Sequence, residues 1–129
     1  MSEDLVGLGD RELDLMQVLW RRGEATVAEV QQALSAQGIR LAYTSVQTML
    51  NRLESKELVS RRSSERAHVY RPLVGEPRVV GSVIDRLTGR FFKGSVERLA
   101  SHLVESGFSE EELDRLQAVI EAQRARRPA

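Results

Sequence analysis

The sequence contains no cysteine, which removes disulfides, thiolate metal sites, iron–sulfur clusters and thiol catalysis together. It also lacks long apolar runs. The longest is three residues, as at Val18-Leu19-Trp20, against roughly 20 for a membrane-spanning helix. The opening Met1-Ser-Glu-Asp-Leu-Val-Gly7 is acidic and has no apolar centre, so no secretory leader is expected. A soluble cytoplasmic protein without membrane insertion is the plain expectation.

An excess of charge of either sign is missing as well: 19 Lys and Arg balance 19 Asp and Glu. On its face this argues against a nucleic-acid partner, because such proteins are usually basic. The balance hides a gradient. Residues 1–39 carry three basic and seven acidic side chains, residues 40–71 carry seven basic and three acidic, and residues 72–129 carry nine of each. A dipolar amino-terminal half suits a protein that meets DNA with one side, so zero net charge does not exclude DNA. With 41% hydrophobic and 29% charged residues the chain is neither a disordered tail nor a membrane protein.

What is present is helical periodicity. A first helix is predicted from Gly9 or Asp10, with Glu12 supporting its opening turn and Leu13, Met16, Leu19 and Trp20 inward. Arg21-Arg22-Gly23 reads as its basic last turn and stop. Thr26-Val-Ala-Glu29 is a capping box. It opens a second helix with Val27, Val30, Ala33 and Leu34 inward, ending before Gly38. After the linker Gly38-Ile-Arg-Leu41, a third helix is predicted from about Ala42 to Lys56.

On a wheel of 100° per residue, Val46, Met49, Leu50 and Leu53 of this third helix form an apolar stripe. Thr44, Gln47, Thr48, Asn51, Arg52 and Ser55 lie opposite, and Glu54 alone adds an acid on the flank. Solvated helix faces ordinarily mix Glu and Lys for i,i+4 pairs, so a face of amides and hydroxyls is unusual. Leu58–Arg62 and Ala67–Arg71 alternate and read as a β-hairpin around Ser63-Ser-Glu-Arg66, packed through Val59, Val69 and Tyr70. Pro72 and Gly75-Glu-Pro77 mark a linker.

Three more helical stretches follow. Val79, Val80, Val83, Ile84 and Leu87 line the first, with Phe91-Phe92 after it. Val96, Leu99, Ala100 and Leu103 line the second. Ser109-Glu-Glu-Glu112 is a capping box opening the third, striped by Leu113, Leu116, Val119 and Ile120, and the chain is expected to fray from Arg124. The predicted fold is mainly α with a small β-hairpin. It divides into a winged helix-turn-helix domain over 1–74 and a helical dimerisation region over 75–129.

Four segments also carry a family resemblance. Leu8-Gly-Asp-Arg-Glu-Leu-Asp-Leu-Met-Gln-Val-Leu-Trp20, Gly23-Glu-Ala-Thr-Val-Ala-Glu-Val30, Leu41-Ala-Tyr-Thr-Ser-Val-Gln-Thr-Met-Leu-Asn-Arg-Leu-Glu-Ser-Lys56 and Arg66-Ala-His-Val-Tyr-Arg-Pro72 resemble, in order and spacing, the penicillinase-repressor (BlaI/MecI-type) transcriptional regulators. Gly94-Ser95 and His102-Leu103 through Ser109–Leu113 resemble that family's carboxyl-terminal region. The resemblance implies a homodimeric repressor of β-lactamase or related resistance genes, bound to a palindromic double-stranded operator with TACA and TGTA cores. It also implies release through a membrane sensor protease that cleaves the dimerisation region.

The sequence departs from the family pattern at several positions. Glu57 replaces a usual Gly, so the third helix must stop without an easy left-handed residue. Glu65 stands where the wing turn often has Gly. Ser101-His102 stands near the place of an Asn-Phe cleavage pair, which argues against cleavage. Copper-responsive relatives use carboxyl-terminal cysteines, and none exists here. No cofactor or metal is expected.

The chemistry of the third helix also fits DNA, although apart from the resemblance an ordinary polar helix face explains it about as well. Gln47 and Asn51 each offer the donor and acceptor that adenine pairs at N6 and N7, and Thr44 and Thr48 offer methyls to thymine. Arg52 can reach a guanine edge or a phosphate. The resemblance matches Thr44, Ser45, Gln47, Thr48 and Arg52 to operator-facing positions, and Tyr43 beside them is counted among the expected DNA-binding residues. Thr26, at a helix amino terminus, suits a phosphate, although a plain cap explains it too. Arg61, Arg62 and Arg66 set three guanidiniums against Glu65 alone, which favours phosphate attraction over an ordinary solvated hairpin. Trp20, Met16 and Met49 read as core. His68 and His102 have no carboxylate spacing for metal or acid–base work, and Ser63-Ser64 has no nucleophile context, so no enzyme is expected. A winged-helix module that binds protein rather than DNA is the rival reading.

The last third cannot bury its stripes within about fifty residues, and Gly81 and Gly89 weaken its first helix. Pairing with a second copy through Val83, Leu87, Phe91, Phe92, Leu99, Leu103, Leu113, Leu116 and Ile120 would bury them. It would also create the two-fold axis that a palindrome requires. Folding back in a monomer is the alternative.

Overall fold

A computed structural model of the chain describes residues 8–128; the acidic opening segment lies outside the described residues. Along the chain run α1 (Asp10–Arg22), β1 (Ala25–Thr26), α2 (Val27–Ala36), α3 (Tyr43–Ser55), β2 (Val59–Ser63), β3 (His68–Pro72), α4 (Glu76–Phe91), α5 (Val96–Glu105) and α6 (Glu110–Arg126). Two compact units result, one through Ile84 and one from Asp85.

The amino-terminal unit is built around one core in which Leu15, Met16, Leu19, Leu34, Leu50 and Leu53 are fully buried. The predicted inward face of α1 is present but wider than one stripe. Leu15 and Val18 are buried with Met16 and Leu19, while Leu13 and Trp20 are only partly buried. The reason is that α1 packs against α2, α3 and β3 together, so it buries a face wider than one stripe. Glu12 supports the first turn as expected, with Oε1 accepting from Gly9 N at 3.1 Å, and the Lys56 ammonium also holds its carboxylate.

The expected capping box is present: Thr26 Oγ1 accepts from Glu29 N at 3.2 Å and Glu29 Oε1 accepts from Thr26 N at 2.9 Å. Helix α2 ends in a Schellman motif, in which Ile39 N–H donates to Leu34 O and Gly38 N–H to Ser35 O, with Gly38 at φ 85°. Helix α3 ends in the same motif. Leu58 N–H donates to Leu53 O and Glu57 N–H to Glu54 O, yet the left-handed position is taken by Glu57 at φ 62°. The turn is therefore made as the motif requires, with a side chain in the region L-residues avoid.

The expected hairpin is part of a three-stranded antiparallel sheet in the order β1-β3-β2. Ala25 pairs with Tyr70 and Thr26 with Val69. Two residues are too few to show an alternating pattern, and Thr26 is extended (φ −82°, ψ 169°) because a helix N-cap requires it. That same extension lets it pair as a strand. Strands β2 and β3 each start one residue later than predicted, and Val59, Val69 and Tyr70 are buried as expected.

The predicted linker is also corrected. Pro72 closes β3, and Glu76-Pro77 form the first residues of α4, where the missing proline N–H has no helical partner to lose. Phe91 belongs to this helix too.

In the carboxyl-terminal unit, Ser95 caps α5, and Ser109 with Glu112 forms the predicted box on α6. Helix α6 continues to Arg126, so Arg124 is helical rather than frayed; Arg124 and Arg126 in the last turn complement the helix dipole. Neither α5 nor α6 buries any residue. Among the described residues no helix is long and apolar enough to cross a membrane.

Candidate nucleic-acid interface

Helices α2 and α3 are joined by a tight connector. Gly38 supplies the turn, Ile39 and Leu41 lean on the core, and Gln31 Nε2 donates to Leu41 O at 3.0 Å. This bond ties the body of α2 to the residue preceding α3. Val46, Leu50 and Leu53 then anchor α3 by one face, with Met49 partly buried beside them. The opposite face is left outward: Tyr43, Thr44, Thr48, Asn51 and Arg52 are exposed, and Ser45 and Gln47 are half-buried.

The wing stands beside the start of this helix. At its tip, Ser64 N and Oγ both donate to Ala67 O at 2.9 Å. Between the wing and α3 opens a cleft of about 330 Å³, lined by Tyr43 and Gln47 from α3, by Ser63, Ser64, Arg66 and His68 from the wing, and by Val27 and Ala67. Hydroxyls, an amide, an imidazole and a guanidinium thus converge at one place. Sequence reasoning did not select Ser63, Ser64 and His68 for this surface. Their signal was only that they flank a turn, and their approach to Gln47 comes from the fold.

The geometry alters the reading of Asn51. Tyr70 is 1% exposed, and its hydroxyl donates to Asn51 Oδ1 at 3.0 Å. The Asn51 acceptor is therefore engaged from below, which leaves its amide N–H groups for a ligand. Gln47, Thr44 and Thr48 have no such partner among the described residues.

Charge is also distributed differently from a count along the wing. Arg62 Nη2 lies 2.6 Å from Glu24 Oε2, and Arg61 Nε lies 3.4 Å from Glu54 Oε2. Glu65 is consequently not the only acid set against the wing arginines. Arg52 and Arg66 form no ion pair among the described residues. At the start of α2, Thr26 Oγ1 is occupied by Glu29 N, and the Glu29 carboxylate meets Arg22 at 3.0 Å. The backbone N–H of Thr26 holds the Glu29 carboxyl below the ordinary 4.5; partial burial opposes this, and Arg22 adds to the lowering. A phosphate arriving at this helix terminus thus meets a site that already has its own carboxylate.

The match to known proteins covers the same elements. The penicillinase repressor family model matches residues 8–122. The chain belongs to the penicillinase repressor family. This family member is 41% identical over 128 residues to the transcriptional regulator BlaI of Mycobacterium tuberculosis, spanning 96% of this chain and 92% of the relative. It is 27% identical over 121 residues to the penicillinase repressor of Bacillus licheniformis, spanning 93% and 94%. The solution structure of the DNA binding domain of the repressor BlaI aligns with 56% of this chain and 87% of its own length, at 30% identity and a TM-score of 0.50.

These findings agree with the expectation of a winged-helix transcriptional repressor rather than an enzyme. Among the described residues of this family member, no group of three or more His, Asp or Glu side chains is placed to hold a metal. The residues expected to pair two copies are placed as follows. Phe91, at 73%, and Ile120, at 55%, are the most exposed. Val83, Leu87, Leu103 and Leu116 are exposed, while Phe92, Leu99 and Leu113 are half-buried.

Proposed function

We propose that this chain represses transcription by binding a palindromic operator as a homodimer. The observation that carries the reading is the outward face of α3, where Thr44, Thr48 and Arg52 stand exposed and the half-buried Gln47 lines the wing cleft. Helix α3 enters the major groove. Gln47 reads a base edge, the two threonines meet thymine methyls or phosphates, and Tyr43, Ser45 and Asn51 support this face. Arg52, Arg61, Arg62, Arg66 and Thr26 meet the backbone. The apolar faces of α4, α5 and α6 pair with a second copy. The relative named penicillinase repressor makes a β-lactamase or a related resistance gene the proposed target.

The test compares duplexes from the protein's own promoter with unrelated duplexes of equal length. Specific binding should weaken steeply as salt rises, because phosphate contacts release counterions. Gln47→Ala should remove about 1–3 kcal/mol of discrimination between the two duplexes. Arg66→Ala should weaken both equally and lower the salt slope by about one. Equal effects from the two substitutions would overturn this division of labour.

One observation favours the rival reading, a protein-binding winged helix: Arg61 and Arg62 are already paired with acids. Failure to bind any promoter duplex at low salt would select it.

A further inference from the structure

Two of the wing's four arginines, Arg61 and Arg62, meet carboxylates that come from outside the wing. Glu24 lies just before β1 and meets Arg62 at 2.6 Å; Glu54 lies in the last turn of α3 and meets Arg61 at 3.4 Å. Both pairs stay open to solvent, with side chains 34–58% exposed, so they add little to folding. A carboxylate and a phosphate present the same kind of anionic oxygens to a guanidinium. A DNA phosphate therefore competes with Glu24 for Arg62 and with Glu54 for Arg61.

We infer that Glu24 and Glu54 are built-in competitors for the DNA backbone. They occupy Arg62 and Arg61 in the free protein and so hold down the sequence-independent part of its affinity. Glu65 adds a third acid at the wing tip, so the seven basic side chains of residues 40–71 meet DNA with less free charge than their number suggests. Arg40, Arg52, Arg66 and Arg71 form no ion pair among the described residues and meet no such competition. Tight binding then depends on α3 meeting its own base sequence. This inference rests on the DNA-binding reading above, and it assigns Glu24 and Glu54 a tuning role without contact to any base.

Removing any acid near DNA strengthens binding somewhat by simple attraction, so the test must isolate the pairs. Affinity of the full chain is measured at about 0.1 M salt on an unrelated duplex and on a promoter duplex. The proteins are wild type, Glu24→Gln, Glu54→Gln, Arg62→Ala, Arg61→Ala and the two paired double variants. Glu24→Gln and Glu54→Gln should each tighten the unrelated duplex about threefold, and about tenfold together. The promoter duplex should tighten by the same factor, and the salt slope should steepen. In the Arg62→Ala background the Glu24→Gln gain should shrink to the small part owed to simple attraction, as should the Glu54→Gln gain in Arg61→Ala. No gain, or an equal gain without the arginine, overturns the inference while leaving DNA binding intact. If the wild type binds neither duplex even at low salt, the repressor reading falls and this inference with it.

Discussion

Leu15, Met16, Leu19, Leu34, Leu50, Leu53 and Tyr70 of the amino-terminal unit are at most 1% exposed, whereas α5 and α6 of the carboxyl-terminal unit bury no residue at all. Both regions are written in the same way, with apolar stripes at helical spacing and serine or threonine caps. What differs is the number of elements that converge. Helix α1 alone meets two helices and a strand, which is enough to close a core around each stripe. The last forty-five or so residues supply too little chain to do this for themselves. An amphipathic stripe therefore predicts a helix in both places, but predicts a core only where other elements cover it.

The largest expected effect tests the closed side of this comparison. Leu50→Ala removes a fully buried side chain from the middle of α3 and should cost about 2–5 kcal/mol in denaturant unfolding. Leu103→Ala, at a residue 47% exposed, should cost far less when the protein is dilute enough to be monomeric. Similar costs for the two would mean that the carboxyl-terminal unit has a core of its own, and the contrast would collapse.

The open side is tested by charge. Replacing both Leu116 and Ile120 by Asp should convert the sedimentation profile from two copies to one. The near-ultraviolet signal of Trp20 should stay unchanged, because its indole N–H is anchored to Val74 O within the amino-terminal unit. An unchanged sedimentation profile would show that these faces are not what holds two copies together.

A smaller effect sharpens the picture of the dense unit. Helices α2 and α3 end in the same hydrogen-bonded motif, one with Gly38 at φ 85° and the other with Glu57 at φ 62°. Glu57→Gly should stabilise the protein by about 0.5–1 kcal/mol, and Gly38→Ala should destabilise it by a similar amount. Loss of stability in Glu57→Gly would mean that its side chain contributes more than its backbone costs.

Legibility in the sequence followed the range of the interaction. Capping boxes at Thr26 and Ser109 span three residues and were readable, as were the stripes of α2 and α3. Strand β1 was not, because its two residues carry no period and its pairing partner, β3, lies more than forty residues away. The inward face of α1 was read too narrowly because its width depends on three neighbouring elements. At the proposed interface, the polar face of α3 was visible on a wheel. The Tyr70–Asn51 bond and the Arg62–Glu24 pair were not, since residues 19 and 38 apart in sequence meet only through tertiary packing. Counting charges along the wing therefore saw the arginines and missed two of the acids that hold them.

The smallest expected effect concerns pH and again sets the two units against each other. The Glu29 carboxyl is held below the ordinary 4.5, first by the Thr26 backbone N–H, then against partial burial and with the help of Arg22. A carboxyl whose value falls on folding adds stability above its unfolded value, and that contribution fades as pH drops through its lowered folded value. Glu29→Gln keeps a side-chain oxygen that can close the capping box but loses the charge. It should lower stability at pH 7 by less than about 1 kcal/mol, because the side chain is about half exposed. This deficit should shrink steadily below pH 4.5, where the wild type also becomes uncharged. Glu112→Gln, in the same box on the uncovered α6, should leave the melting of the amino-terminal core unmoved at any pH. A Glu29→Gln deficit that stayed constant down to pH 3 would assign the effect to altered hydrogen bonding rather than charge, and would remove pH dependence from the features that set the two units apart.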